Sequence, residues 1–143
     1  MDDTIRVVLQ WGQNPKDLDA HLLGWRSNVT PFDLSYAVPA CCESDGSLIG
    51  KLDMDDLHSH GPETITFRWK EGADFKYYVH LFSGSGTLST SEAKILIYGG
   101  NSLMYIVPVP EGSGDKLNWE VFTFRDGKFT FNNTFTTLPP GLH

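Results

Sequence analysis

Short segments in which apolar and polar residues alternate recur along this chain, separated by clusters of turn-forming residues. In the first segment, one face carries only apolar side chains, namely Ile5, Val7, Leu9 and Trp11. A period of two is typical of a β-strand that buries one face. Turn clusters such as 43–46 and 99–101 follow at a spacing of roughly 8–12 residues, which is the pattern of an all-β sandwich or barrel.

We therefore predict an all-β fold, an antiparallel β-sandwich of jelly-roll-like form with about ten strands. A length of 143 residues fits one domain, which we assign to residues 1–137. The tail at 138–143 contains two prolines that cannot continue a β-ladder, so it is predicted to be an extension or linker. The predicted strands lie at residues 5–11, 17–22, 32–38, 49–54, 64–69, 75–82, 93–98, 103–109, 117–124 and 128–132.

The chain is acidic, with a formal net charge of −7. This charge disfavours nucleic acid as a partner and favours cations. We find neither a signal peptide nor an apolar run long enough for a membrane span. The expected location is therefore extracellular or at the cell surface if the chain is an excised module, and cytoplasmic otherwise. The two cysteines, Cys41 and Cys42, are adjacent, and neighbouring cysteines rarely meet the geometry of a disulfide.

The first unusual feature is the acidic segment 17–21. If this segment is a strand, Leu18 and Ala20 face the core. The other face then carries Asp17, Asp19 and His21, spaced about 6–7 Å apart along the strand. Like charges this close repel each other unless a cation lies between them. The alternative is an ordinary polar face at a strand end.

A second acidic segment follows at 52–63. It contributes Asp53 and Asp55 on the outer face of a strand, Asp56 at the start of a loop, and Glu63 after Gly-Pro. If the two acidic segments meet, a hard divalent cation with oxygen ligands is the simplest way to relieve the repulsion. The alternative is a solvated acidic loop. Neither segment has the spacing of an EF-hand.

Two histidines widen the choice of metal. His80 lies on a predicted strand, where it shares a face with Tyr78, and it would approach His21 if the two strands are neighbours. Two imidazoles with carboxylates suit zinc, iron or manganese better than calcium. The competing interpretation is a histidine that is hydrogen-bonded to a carboxylate in a supporting role. The chain contains no nucleophile elbow, P-loop or dinucleotide motif.

The tryptophans separate into core and surface candidates. Trp11, Trp69 and Trp119 lie on strand patterns and are predicted to be buried. Trp25 is predicted to lie on a loop, where it would either bind a ligand or anchor the loop. An exposed aromatic ring of this kind suits a protein or a glycan partner, and the sequence does not separate the two.

Four sequence elements resemble the YfaP-like family, a group of poorly characterised β-sandwich domains of bacterial surface and exported proteins. They span most of the chain. The elements are Leu9-Gln10-Trp11-Gly12 leading to Asp17-Leu18-Asp19-Ala20-His21-Leu22, Leu52-Asp53-Met54-Asp55-Asp56 leading to Gly61-Pro62-Glu63-Thr64, Tyr78-Val79-His80, and Trp119-Glu120-Val121-Phe122. The resemblance implies that the acidic residues, His21 and His80 form a metal site, with calcium as the ion.

Together these patterns predict a calcium-binding, non-catalytic module for adhesion or ligand recognition. Its metal ligands would come from Asp17, Asp19, Asp53, Asp55, Asp56 and Glu63. The alternative function is a metalloenzyme in which His21, His80 and carboxylates hold zinc or iron. A third interpretation is an acidic docking surface without metal.

Overall fold

A computed structural model describes residues 4–12, 17–26, 29–34, 40–42, 48–53, 63–68, 73–83 and 86–137. The predicted tail at 138–143 lies outside these residues. The part of the chain that the structure describes contains no helix long and apolar enough to cross a membrane. The described ranges form eleven strands: β1 (Thr4–Gln10), β2 (Asp17–Arg26), β3 (Val29–Leu34), β4 (Ala40–Cys42), β5 (Leu48–Asp53), β6 (Glu63–Arg68), β7 (Ala73–Ser83), β8 (Lys94–Gly99), β9 (Ser102–Pro108), β10 (Asn118–Arg125) and β11 (Lys128–Thr136).

The strands form two antiparallel sheets, and the predicted all-β sandwich is confirmed. The six-stranded sheet has the order β4-β5-β6-β1-β8-β9, and the five-stranded sheet has the order β11-β10-β7-β2-β3. Contacts between β9 and β11 and between β6 and β2 show that the two orders, as written, run in opposite directions when the sheets pack face to face. One side of the sandwich is therefore formed by β9 and β11, and the other by β3, β4 and β5.

The connections between strands refine the jelly-roll-like description. Four units, β2–β3, β4–β5–β6, β8–β9 and β10–β11, stay within one sheet, whereas a jelly roll crosses between its sheets at most turns. The pairs β1–β6 and β2–β7 join sequence-distant strands at the centre of each sheet. The order β4-β5-β6-β1, in which three consecutive strands lie beside the sequence-distant β1, is a Greek-key arrangement.

The core lies between the two sheets, on the faces that the alternation predicts. Phe67 of β6 packs against Phe75 of β7, with ring centroids 4.5 Å apart, and so joins the sheets. Trp11 and Trp119 are buried as predicted, and Trp69 lies outside the described residues. Burying each large side chain of this kind contributes about 1.5–3 kcal/mol.

The last hairpin follows the predicted turn. Asp126 and Gly127 both have positive φ, at 54° and 74°, and Arg125 pairs with Lys128 across them. Two positive φ values define the tight hairpin turn that Asp-Gly favours. The hairpin also carries an irregularity that we did not predict, because the register shifts between Glu120 and Phe122.

Four strand predictions need correction. Strand β2 continues to Arg26 rather than ending at Leu22. Strand β3 begins at Val29 rather than at 32, and Ala40–Cys42 forms a short strand, β4, where none was predicted. Strand β11 continues to Thr136 rather than ending at 132. It can continue because Asn133 adopts a positive φ of 47° within the strand, so the Asn-Asn pair interrupts its regularity without ending it.

Candidate functional site

The register of β2 and β7 places three candidate residues on the outer face of the five-stranded sheet. Asp19 pairs with His80, and His21 pairs with Tyr78. Their neighbours Leu18 and Ala20 are fully buried on the inner face, as the alternation predicts. Because a strand turns successive side chains to opposite faces, Asp19 and His21 lie on the opposite side from the core.

The two predicted histidines are close together. The His21 ring stacks on Tyr78 with centroids 4.5 Å apart and planes 10° apart. The His80 ring meets His21 edge-on, at 6.2 Å between centroids. Tyr78 is only 3% exposed, while both imidazoles are half-buried. The expectation that His80 approaches His21 is therefore confirmed.

A buried asparagine fixes the orientation of His80. Asn118 is fully buried, and its Nδ2 donates to the carbonyl oxygens of Thr136 and Thr137, at 3.3 and 3.2 Å. Its Oδ1 therefore faces His80 Nδ1, 2.9 Å away, and accepts a hydrogen bond from it. A neutral His80 then carries its proton on Nδ1, which leaves Nε2 as a hydrogen-bond acceptor or metal ligand.

Sequence reasoning missed Asn118. The only signal was an asparagine inside a predicted strand, where this residue type is depleted. Its role depends on pairing with His80 across β10 and β7, which the local pattern does not reveal.

The start of β6 links the two acidic segments, because β6 contacts β2 of the other sheet and pairs with the end of β5. Glu63 Oε1 accepts a hydrogen bond from the backbone N–H of Ala20, at 2.8 Å. The described β2–β3 pairing begins only at Leu22, so Ala20 lies before it. Glu63 therefore accepts the Ala20 N–H at a position that the described part of β3 does not pair. Asp53 pairs with Thr64, the residue after Glu63. We call the meeting point of Asp17–Ala20, Asp53 and Glu63 the acidic junction.

The charge of Glu63 also acts on the core. Burial, and secondarily the Glu63 carboxylate, raise the pKa of the Tyr77 phenol well above its ordinary value. Tyr77 is fully buried, and its hydroxyl has no hydrogen-bond partner among the described residues. Its ring stacks on Phe122, with centroids 5.4 Å apart. The junction therefore faces an apolar interior on one side.

The described residues do not by themselves complete a metal centre. Within the described ranges, no group of three or more His, Cys, Asp or Glu side chains is arranged to hold a metal ion. Asp55 and Asp56 lie outside those ranges, and for Asp17 and Asp53 the backbone alone is described. The predicted calcium ligand set therefore stays a prediction.

Four charged side chains of β7 and β10 form two pairs on the described part of the five-stranded sheet. Lys76 Nζ lies 3.3 Å from Glu120 Oε1, and the same oxygen accepts from Asn132 Nδ2. Arg125 Nε donates to Asp74 Oδ2 at 3.2 Å. Both carboxylates thus have cationic partners, so this part of the face is not a continuous acidic docking surface.

The prediction that Trp25 lies on a loop is wrong. Trp25 belongs to β2 and pairs with Asp74, because pairing with β7 extends the strand past Gly24. A strand rises about 3.3 Å per residue, so Trp25 lies roughly 25 Å along β2 from Asp17. Trp25 and the acidic junction are therefore separate places on the molecule.

No family model matches this chain, and no curated protein matches it either. The resemblance to the YfaP-like family therefore stays a prediction. The class that the structure defines is that of an all-β Greek-key sandwich.

Proposed function

We propose that this domain is a non-catalytic binding module for adhesion or ligand recognition, in which calcium supports the binding end at the acidic junction. The observation that carries the proposal is the hydrogen bond from Ala20 N–H to Glu63, which joins the two acidic segments. Calcium takes six to eight oxygen ligands and tolerates irregular geometry. Asp17, Asp19, Asp53, Asp55, Asp56 and Glu63 are the carboxylates that would supply them.

The physical role of the ion would be to hold three strand ends together. Carboxylates at neighbouring strand ends repel each other, and a divalent cation turns this repulsion into attraction. The connection between β5 and β6, residues 54–62, begins and ends at the junction. Loops held by a rigid scaffold are where binding residues concentrate. A protein or glycan partner would therefore bind at this end of the sandwich.

Thermal melts with and without calcium test the proposal. At a calcium concentration of about 100 times Kd, the gain in stability is about 2.7 kcal/mol, so Tm should rise and EDTA should reverse the rise. Glu63→Gln should reduce the shift. Glu111→Gln, at an exposed glutamate outside the junction, is the matched control and should retain it. Unchanged melting curves together with no calorimetric heat of calcium binding would overturn the proposal.

A zinc or iron metalloenzyme is the second candidate, and the orientation of His80 favours it. Asn118 holds Nδ1, so Nε2 is the nitrogen left to bind a metal. A hydrogen bond to the other ring nitrogen is the usual support of a ligating histidine. Elemental analysis separates the candidates. Stoichiometric zinc or iron that is lost in His80→Ala supports the enzyme, whereas calcium that is retained in His80→Ala supports the binding module.

A further inference from the structure

Strand β9 (Ser102–Pro108) forms an edge of the six-stranded sheet. Within the described part of the chain, β9 pairs with β8 alone. The backbone N–H and C=O groups on its other side are therefore placed to pair with another strand. Such an edge usually carries a charged residue, a proline or a bulge that prevents pairing. In β9 no charged residue is present, and the only proline is Pro108, at the end. The register with β8 shifts at Met104, near the start of β9, and Tyr105–Pro108 after it pair regularly with β8.

The side chains of β9 are apolar and exposed. Leu103, Met104, Tyr105 and Ile106 are 47%, 42%, 43% and 58% exposed. Only one other large hydrophobic side chain in the described residues, Leu117, is as exposed. The extra residue at Met104 breaks the alternation near the start of β9. Beyond it, Ile106 lies on the opposite face from Tyr105 and the buried Val107. The face of β9 that carries Ile106 is therefore available to a partner, whereas Tyr105 on the other face packs against β11.

The distribution of charge favours a second copy of this chain as the partner. The chain carries a net charge of −7, so two copies repel each other over most of their surface. Residues 93–110, which include β8 and β9, contain one charged residue, Lys94, and no carboxylate. Lys94 pairs with Pro108 at the end of the strand. Two copies can thus meet along β9 without placing carboxylates against each other.

The area available also fits a dimer, although a weak one. Four half-exposed side chains of this size offer roughly 300–400 Å² per copy, and the strand backbone adds to this. The side chains of two copies together offer roughly 600–800 Å², which is below the about 1,200 Å² of standard specific interfaces and in the range of weak ones. An antiparallel pair of identical strands is two-fold symmetric, so the same residues are used on both sides.

We propose that β9 pairs antiparallel with β9 of a second copy, so that two six-stranded sheets become one continuous sheet in a weak homodimer. The other side of the same edge supports this choice of strand. There, Tyr105 packs against Phe129 and Phe131 of β11, with ring centroids 5.4 and 5.0 Å apart. These contacts hold β9 in place before a second copy binds.

Sedimentation equilibrium over a concentration series tests the proposal. The wild-type protein should dissociate with a Kd on the order of 10–100 µM, as expected for an interface of this size. Ile106→Lys should weaken the dimer about tenfold or more, because it places a charge in the apolar strip. Thr130→Lys, on the exposed face of the other edge strand, β11, is the matched control and should leave the Kd unchanged. Circular dichroism melts verify that both variants fold.

Hydrogen exchange identifies the contact itself. Raising the protein concentration should slow exchange of the β9 amides in the wild type and not in Ile106→Lys. A wild-type protein that stays monomeric up to about 0.5 mM would overturn the proposal. A dimer that Ile106→Lys leaves intact, or one that protects β11 instead of β9, would also overturn it.

Discussion

The two sheets are joined near the two sides of the sandwich by opposite chemistry. At the acidic junction, one carboxylate oxygen of Glu63 accepts one backbone N–H, that of Ala20. On the other side, Tyr105 of β9 meets Phe129 and Phe131 of β11, and Phe129 also lies 4.7 Å from Phe124 between ring centroids. We call this second closure the aromatic edge. The first closure includes a directional hydrogen bond to a charged group, and the second is distributed over several ring contacts.

The difference predicts how each of these two contacts between the sheets responds to mutation and to ions. A hydrogen bond to a part-buried backbone group leaves an unsatisfied donor when its acceptor is removed, and this costs about 1–3 kcal/mol. Ring contacts are lost in proportion to the volume removed, and the remaining rings can partly repack. A charged closure can also respond to an ion, whereas an aromatic one cannot. The acidic junction therefore suits regulation by ligand, and the aromatic edge suits constant support.

Breaking both closures at once should have the largest effect. The double variant Glu63→Ala with Phe129→Ala is expected to lose about 3–6 kcal/mol, which is a large part of the stability of a typical domain. The two sites lie on opposite sides of the sandwich, so the loss should equal the sum of the single losses to within about 0.5 kcal/mol. Urea unfolding followed by tryptophan fluorescence measures all three variants. A deviation above about 1 kcal/mol would contradict the independence of the closures.

Phe129→Ala alone should give the larger of the two single effects, a loss of about 2–3 kcal/mol. Phe129 is half-buried, so the loss is below the range for a fully buried phenylalanine. Phe129→Leu keeps most of the volume and loses only the edge-to-face contacts, so it should cost about 1 kcal/mol. If leucine destabilises as much as alanine, the orientation of the rings matters more than their volume. That result would contradict the view that the aromatic edge is held by packing spread over several rings.

Glu63→Ala should cost about 1–3 kcal/mol in EDTA, since the Ala20 N–H loses its acceptor. Glu63→Gln keeps a side-chain oxygen at the same place and should cost less than about 1 kcal/mol. The comparison separates the hydrogen bond from the charge, and urea unfolding in EDTA measures both variants. Equal losses in the two variants would show that the carboxylate charge, and not the hydrogen bond, holds the sheets together there.

Tyr77→Phe should have the smallest effect at pH 7, a change within about 0.5 kcal/mol, because the phenol has no partner to lose among the described residues. Its effect should appear in alkali. The pKa of Tyr77 is raised in the folded state, and in the unfolded chain it is about 10.

Below pH 10 the Tyr77 phenol is protonated in both the folded and the unfolded state. Its ionisation therefore does not lower the free energy of unfolding in this range. Above pH 10 only the unfolded state loses the proton, and stability falls by up to about 1.4 kcal/mol per pH unit until the folded pKa is reached. The phenylalanine variant lacks this loss, so its urea midpoint should decline less between pH 9 and pH 11. Parallel declines in the two proteins would show that Tyr77 does not cause the alkaline loss.

The sequence was sufficient for the fold class and for the faces of the strands. Leu18 and Ala20 are buried, and Asp19 and His21 lie on the other face, because the period of two is a local property of the chain. The Asp-Gly turn was also predictable, since its positive φ values depend on two adjacent residues.

The contacts between strands were not predictable from the pattern. The bond between Glu63 and Ala20 depends on how β6 lies over β2, and the role of Asn118 depends on its pairing with His80. Trp25 was misplaced because Gly24 and the polar residues after it signal a turn, and pairing with β7 overrides that signal. The register shift at Val121 likewise becomes visible only when β10 meets both of its neighbours.

The position of β1 at the centre of its sheet has a consequence for how the chain folds. Ile5 pairs with Phe67 on one side and with Gly99 on the other. The hairpin of β10 and β11 closes over a two-residue turn, and such hairpins form in about 1–10 µs. Pairings as distant in sequence as those of β1 close far more slowly, in milliseconds to seconds for all-β domains. We therefore expect that β1, the first of these strands to leave the ribosome, remains without its second partner until β8 has been synthesised.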